Sequence, residues 1–240
     1  MLGVDVYRSM APEAAIPGLT GQGAPALALR ARARPAALQP RLKRAMDILG
    51  AGVLLLLCAP VFGLLALLIR ADGGPAFYAH ERVGQGGRRF GCLKFRSMVT
   101  DSAARLAALL EASPEARAEW EATRKLKDDP RVTRVGAFLR ATSLDELPQL
   151  LNVLRGEMSL VGPRPVVAAE LAEHYGTAAE HYLSVRPGIT GLWQVSGRSD
   201  TSYGERVALD IDYATNLSVL ADLRILLRTP LAVLSRRGAY

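Results

Sequence analysis

The chain has 240 residues, half of them hydrophobic, and a formal net charge of +7. This length allows one sizeable core, and the basic balance suits anionic lipid, nucleotide phosphate or nucleic acid as a partner. Aromatic residues make up only 6% of the chain, which disfavours stacking on bases, and two cysteines are too few for a disulfide framework and lack zinc-ligand spacing.

Residues 1–40 are rich in alanine, proline and glycine, and the prolines interrupt any helical pattern. This composition predicts a flexible basic tail. Arg30, Arg32 and Arg34 stand near its end, where basic side chains favour contact with anionic headgroups.

Residues 41–72 contain an apolar run without charges, from residue 48 to residue 69. As a helix the run would be about 33 Å long, enough for a hydrocarbon core of about 30 Å. Pro60 near its middle would bend the helix, and basic residues on both flanks would keep both ends in the cytoplasm. The residues alone leave a spanning helix and a re-entrant helix broken at Pro60 equally open.

The sequence predicts a hairpin of two strands, 76–83 and 88–95, joined by the glycine-rich loop 84–87. Lys94 and Arg96 alternate with an apolar residue, so both can point to one face of the sheet. The simpler alternative is a charged edge strand that faces solvent.

The rest of the chain is mostly helical by composition. We predict helices over 101–127 with an interruption at 113–114, from about 147 to 155, over 166–183 and from 203 onwards. The last segment, 217–235, combines leucines at helical spacing with arginines, which fits an interfacial amphipathic helix or ordinary core packing equally well. The fold class is therefore α+β, mostly helical with a small β-hairpin, and residues 73–240 form one cytoplasmic domain.

Two adjacent carboxylates, Asp145 and Glu146, lie at a predicted helix start. Ser143 and Glu146 have the spacing of a capping box, but Pro148 fits a regular first turn poorly, so the helix starts nearer residue 147 or its first turn is distorted. Neighbouring carboxylates repel each other unless a cation lies between them, and Mg²⁺ or arginine is the natural partner.

Arginines recur in loops rich in glycine and proline. Arg140 precedes the carboxylates, Arg164 lies in the loop 162–165, and Arg186 and Arg198 flank the loop 187–197. Constrained arginines and exposed backbone amides are suited to binding phosphates. The three histidines have no matched carboxylate or cysteine and are interpreted as structural or exposed.

Six ordered motifs and a closing one lie within residues 41–240. They are KRAMD at 43–47, ERVG at 81–84, KFRSM at 94–98, LRATSLDELPQ at 139–149, SLVGPRP at 159–165, RPGITGLWQ at 186–194 and RGAY at 237–240. Together they resemble the bacterial sugar transferases, the monotopic polyprenyl-phosphate glycosyl-1-phosphate transferases, and in particular the compact exopolysaccharide-initiating type. His80 is a minor departure, because many members carry glutamine there.

The resemblance implies a reaction in which a UDP-sugar gives its sugar-1-phosphate to undecaprenyl phosphate and releases UMP. It implies that Asp145 attacks the β-phosphate and forms a covalent intermediate, and that Glu146 together with Asp145 holds Mg²⁺. The phosphates would be bound by basic side chains, namely Arg140, Arg164, Arg186, Lys94, Arg96 and Arg198.

The resemblance also favours the re-entrant path for the apolar helix, at the cytoplasmic face of a bacterial inner membrane. The donor sugar expected for the compact members is galactose or glucose. A homo-oligomer is compatible with the sequence, which does not give the oligomeric state. Two other classes compete with the enzyme: a non-catalytic membrane-anchored module that binds lipid or a partner protein, and a nucleic-acid binder, which only the high isoelectric point suggests.

Overall fold

The computed structural model describes residues 6–8, 38–123, 126–197 and 201–234. The rest of the predicted tail, Arg198 and the closing motif at 237–240 lie outside the described residues. Within them the fold is mostly helical with small sheets, as predicted. The helices are α1 Leu38–Arg70, α2 Ser102–Ala112, α3 Pro114–Thr123, α4 Arg134–Thr142, α5 Gln149–Arg155, α6 Ala168–Glu170, α7 Ala179–Ser184, α8 Leu192–Ser196, α9 Tyr203–Thr215 and α10 Val219–Leu234.

Helix α1 is the one described helix that is long and apolar enough to cross a membrane. Helix α1 continues through Pro60, so the structure has no break in the helix at the position where the sequence predicts one. One face packs against the body of the protein, where Leu65 and Ile69 join Phe95 in a buried cluster. The opposite face is exposed, and 76% of Leu56 and 70% of Leu67 remain accessible.

Both ends of α1 are tied to the same body. Near the start of α1, Lys43 Nζ donates to Asp222 Oδ2 at 2.6 Å, and Asp47 Oδ1 accepts from the backbone amide of Leu160 at 2.9 Å. Near its end, the carbonyl of Ile69 accepts from the Arg96 guanidinium at 2.9 Å. The helix therefore lies along the body over most of its length.

The predicted hairpin is confirmed: β2 Phe77–Val83 and β3 Arg89–Phe95 are antiparallel and joined by a tight turn in which Gly86 and Gly87 have positive φ. A third strand, β1 Val6–Arg8, pairs parallel with β2, within the segment for which the sequence predicts a tail. One face of the hairpin carries three cross-strand pairs: Tyr78 with Lys94, His80 with Cys92, and Arg82 with Phe90.

A second, parallel pair of strands, β4 Ser159–Val161 and β5 Gly188–Thr190, brings the two arginine-containing loops together. The Gly162 amide donates to Thr190 O at 2.9 Å, and the Gly188 amide donates to Pro163 O at 2.8 Å. A Cβ atom on Gly162 or Gly188 would overlap the backbone of the other loop. Glycine is therefore needed here for close approach of two backbones.

Helix α10 has one face in the core and one face without partners in the described residues. Ile225 is 4% exposed, whereas Leu220, Leu227 and Leu231 are more than half exposed. The described part of the predicted basic helix is thus amphipathic, and ordinary core packing does not account for its outer row of leucines.

Candidate active site

The two adjacent carboxylates converge on one lysine. Lys94 Nζ lies 2.7 Å from Glu146 Oε1 and 3.5 Å from Asp145 Oδ2. Strand β3 supplies Lys94, and a single 3₁₀ turn, Leu144–Glu146, supplies both carboxylates. The sequence predicted Mg²⁺ or arginine beside the carboxylates, whereas the described structure places a lysine there.

A strained turn presents the carboxylates. Ser143 has φ of 57° and is the one non-glycine residue with positive φ among the described residues. It ends α4 and starts the 3₁₀ turn, but its side chain makes no cap hydrogen bond, so the predicted capping box with Glu146 is wrong. Helix α5 begins only after Pro148, so the carboxylates lie in a separate turn in front of it, which agrees with the poor fit of Pro148 to a regular first turn.

The carboxyl group of Asp145 is largely withdrawn from water, since 13% of its side chain is exposed. Burial raises the pKa of Asp145 above its usual value, while the charge of Lys94 opposes that shift. For Lys94, burial lowers the pKa, but Glu146 and Asp145 outweigh it and hold the pKa above its usual value. Lys94 is therefore charged, and it favours the ionised form of its neighbours.

A cavity of about 940 Å³ opens beside the carboxylates. The hairpin contributes Arg82, Cys92 and Lys94, and the two glycine-rich loops contribute Arg164 and Thr190. Apolar side chains of α1 and α10, including Leu54 and Leu226, close another part of the wall. The cavity therefore combines a charged wall with an apolar one.

Two of the predicted phosphate-binding arginines line this cavity and have N–H groups that no described residue accepts. Arg140 is exposed, and its Nε donates to Ser97 Oγ at 2.9 Å. Arg164 lines the cavity and makes no hydrogen bond or ion pair with the described residues. Both guanidinium groups can therefore accept an anion without first losing a carboxylate partner.

Arg96 and Arg186 are placed differently. The guanidinium of Arg96 is occupied by both carboxylate oxygens of Asp72 and by three backbone carbonyls, so it holds the end of α1 in place. Arg186 does not line the cavity, and its Nε donates to Gly156 O at 2.8 Å. These two arginines act as structural clamps in this structure, and Arg198 lies outside the described residues.

Asn152 positions the site and was missed by the sequence analysis. It is fully buried, its Oδ1 accepts from the Leu93 amide at 2.9 Å, and its Nδ2 donates to Gly91 O at 2.8 Å. These bonds dock α5 onto β3, the strand that carries Lys94. A polar residue at an apolar position of the helix face was the available signal.

The described residues offer Mg²⁺ two carboxylates but no complete set of protein ligands. No group of three or more metal-binding side chains occurs among the described residues. Asp145 and Glu146 nevertheless converge on one cation, and Mg²⁺ is commonly bound by one or two carboxylates together with substrate phosphates. The pair fits a metal that arrives with a phosphorylated substrate.

The chain is similar in sequence to known proteins over most of its length. A family model described as bacterial sugar transferase matches residues 38–236. The exopolysaccharide production protein ExoY of Rhizobium meliloti is 55% identical over 199 residues, which cover 82% of this chain and 88% of the relative. An undecaprenyl-phosphate galactose phosphotransferase of Salmonella typhimurium is 53% identical over 83% of this chain and 42% of its own length.

A more distant relative, a UDP-glucose:undecaprenyl-phosphate glucose-1-phosphate transferase of Caulobacter vibrioides, is 42% identical over 86% of this chain and 77% of the relative. The chain thus spans less than half of the Salmonella protein and most of the other two.

These matches define the class as a sugar transferase. The structure adds one helix that is long and apolar enough to cross a membrane and a charged cavity beside it. The chain belongs to the bacterial sugar transferase family. The predicted enzyme class, phosphoglycosyl transferase, is confirmed at the level of this family.

Proposed function

We propose that this protein transfers sugar-1-phosphate from a UDP-sugar to undecaprenyl phosphate and releases UMP. The observation that carries the proposal is the convergence of Asp145 and Glu146 on Lys94 at the wall of the cavity. The names of the relatives add support, because they mention undecaprenyl phosphate and either galactose or glucose. The corresponding biological role is the first step in the assembly of a surface glycan such as an exopolysaccharide.

Asp145 is the proposed nucleophile. Its carboxylate oxygen forms a bond to the β-phosphorus of the donor while the bond from that phosphorus to the bridging oxygen breaks, and UMP leaves with the electron pair. A phosphate oxygen of the lipid then attacks the same phosphorus and restores the free carboxylate. Burial supports this role because a poorly hydrated carboxylate is a stronger nucleophile, and the charge of Lys94 opposes the rise in the pKa of Asp145 that burial causes.

Glu146 is the more exposed carboxylate, with 36% of its side chain accessible against 13% for Asp145. It is therefore the better placed of the two to share Mg²⁺ with the donor diphosphate. The metal would neutralise phosphate charge so that an anionic nucleophile can approach. Arg140 and Arg164 would bind the remaining phosphate oxygens.

We further propose that α1 is re-entrant and that the site lies at the cytoplasmic face of the bacterial inner membrane. Contacts of both ends of α1 with one body support this path, because a helix that crossed the bilayer would carry one end away from the body. The exposed leucines of α1 and α10 supply the membrane-facing surface. A lipid phosphate at the membrane surface and a soluble nucleotide could then meet in one cavity.

The proposal is tested by measuring UMP release from purified protein in nanodiscs with undecaprenyl phosphate, Mg²⁺ and either UDP-galactose or UDP-glucose. We expect release with one donor, loss of release on chelation, and a roughly thousandfold or larger fall for Asp145→Asn. The control is Asp128→Asn, which removes an exposed carboxylate outside the cavity and should leave release unchanged. Equal UMP release by Asp145→Asn and wild type would contradict the proposal.

A further inference from the structure

Arg82 is a buried cation that the reaction described above does not use. It lies on β2, lines the cavity, and has 14% of its side chain exposed. Its NH1 lies 3.3 Å from Glu170 Oε2, which is a long contact for an ion pair, and the same Glu170 oxygen accepts from the Val167 amide at 3.1 Å. One shared carboxylate oxygen is therefore its acidic partner among the described residues.

A second arginine faces the same part of the cavity. Arg164 also lines it and makes no hydrogen bond or ion pair with the described residues. Both arginines line the same cavity. Burial lowers the pKa of Arg82, Glu170 opposes this, and the charge of Arg164 lowers the pKa further. Arg164 also acts on the buried carboxyl group of Asp210, whose pKa burial raises to about 7 and which Tyr175 already contacts. An anion bound between the two guanidinium groups would relieve their mutual repulsion.

His80 holds Arg82 in place. Its Nδ1 lies 3.0 Å from Arg82 NH2, and arginine can only donate, so the Nδ1 atom accepts. Burial, followed by the charges of Arg82 and Lys94, lowers the pKa of His80 to about 4, so the ring is neutral near pH 7. A neutral ring fixes the guanidinium without adding a third positive charge.

Arg82 and His80 lie at a different position along the hairpin from Lys94, the residue that contacts the carboxylates. Lys94 pairs with Tyr78, and Arg82 lies four residues further along the same face of β2. Four residues of strand correspond to about 13 Å between the backbone positions. Long side chains from the two positions can therefore reach different phosphates of bound substrates.

We propose that Arg82 and Arg164 form a phosphate subsite of the cavity, with His80 as the positioning residue for Arg82. The inference rests on the proposed function. The ligand chemistry is a phosphate carried by a substrate, either the diphosphate of the nucleotide donor or the monophosphate of the lipid acceptor.

The test uses full-length protein in nanodiscs and three substitutions. Arg82→Gln removes the charge, Arg82→Lys keeps the charge without the planar fork, and Arg89→Gln is the matched control, because Arg89 lies on the same hairpin, is exposed and pairs with Glu81. The measurements are UDP and uridine affinity by titration calorimetry, the KM for undecaprenyl phosphate at saturating donor, and the thermal midpoint.

We expect Arg82→Gln to weaken one phosphate-bearing ligand at least tenfold, Arg82→Lys to weaken it less, and Arg89→Gln to leave it unchanged. Weaker UDP binding with unchanged uridine binding would assign the subsite to the donor. A higher KM for undecaprenyl phosphate with unchanged UDP affinity would assign it to the lipid. Unchanged values for both ligands in a folded Arg82→Gln protein would overturn the inference.

The positioning role of His80 has its own readout. Glutamine at this position can still accept from Arg82, whereas leucine cannot, so His80→Gln should retain the affinity that His80→Leu loses. Equal affinity in both variants would remove His80 from the inference. If the wild type neither binds UDP nor releases UMP, the proposed function fails and the subsite falls with it. If Arg82→Gln releases UMP with unchanged UDP affinity and unchanged KM for undecaprenyl phosphate, the subsite alone is contradicted.

Discussion

The positive charge of Lys94 offsets the repulsion between two adjacent carboxylates. Without a cation, Asp145 and Glu146 would repel each other, and burial would further favour the neutral form of Asp145. The lysine lies within 2.7 Å of one carboxylate and 3.5 Å of the other, so a single charge serves both. The nucleophile proposed for this enzyme therefore depends on a residue 51 positions away in the sequence.

This dependence predicts a change in pH profile for Lys94→Gln. Lys94 lowers the pKa of Asp145, so its removal raises that pKa further, and a reaction that needs the carboxylate loses activity at higher pH than the wild type does. We expect the acidic limb of kcat/KM to move to higher pH and the maximal rate to fall roughly tenfold or more.

The control for this prediction is Lys127→Gln, which removes an exposed lysine outside the cavity. Its profile should match the wild type. An acidic limb that stays in place in Lys94→Gln would show that the lysine does not influence the ionisation of the reactive group.

Sequence reasoning singled out Asp145, Glu146 and Lys94 through motif, resemblance and strand alternation, and the structure brings these three residues into contact. It could not separate arginines that bind substrate from arginines that hold the fold. Arg96 has the same alternation as Lys94, but its guanidinium is taken by Asp72, 24 residues earlier in the chain. Such pairings depend on how α1 ends against β3, which no local pattern contains.

At the scale of elements, α5 and β3 are joined through one buried amide. Asn152 satisfies both a donor and an acceptor of β3, and its Nδ2 also lies 2.6 Å from Glu157 Oε2. Buried backbone groups that lose their partners cost free energy because no water replaces the lost bond. The docking of α5 therefore helps to hold the strand that presents Lys94.

We predict that Asn152→Ala lowers the free energy of unfolding by roughly 2–4 kcal/mol, since it leaves the Leu93 amide and the Gly91 carbonyl unpaired. Denaturant titration in detergent would measure the change. The matched control is Asn216→Ala, whose exposed side chain donates to Asp212, and it should change the free energy by less than about 0.5 kcal/mol. Equal effects of the two substitutions would contradict a docking role for Asn152.

The hairpin, α2, α3 and the end of α5 at Gly156 follow their sequence signals closely, because turn glycines, a proline and helical periodicity act locally. The turn before α5 follows its signals only in part. The poor fit of Pro148 indicated correctly that the regular helix starts later, whereas the capping-box spacing pointed to the wrong local geometry at Ser143, which has a positive φ and begins a separate 3₁₀ turn that contacts β3.

At the scale of the whole molecule, one apolar surface and one charged cavity lie on the same body. The outer face of α1 and the outer row of α10 are exposed and apolar, whereas the cavity between them and the hairpin is lined by arginines and carboxylates. This arrangement suits a protein that rests in one leaflet and faces the cytoplasm, because both substrates can then reach the cavity.

The re-entrant path predicts that both ends of α1 are cytoplasmic. In a background without native cysteines, the probes are Ala45→Cys near the start of α1 and Ala71→Cys directly after its end, and both positions are exposed on the described structure. We expect an impermeant maleimide to label both only after the inner membrane is opened. Labelling of one of these two positions, but not of the other, in intact spheroplasts would instead indicate a helix that crosses the membrane.

The most direct test of the central claim is to trap the sugar-phosphate on the enzyme. The protein would be incubated with Mg²⁺ and a UDP-sugar labelled in the sugar, without lipid acceptor, and the labelled peptide would be mapped by mass spectrometry. We predict label on the peptide that contains Asp145, its discharge on addition of undecaprenyl phosphate, and its absence in Asp145→Asn. UMP release without any covalent label, or label that persists in Asp145→Asn, would contradict the account.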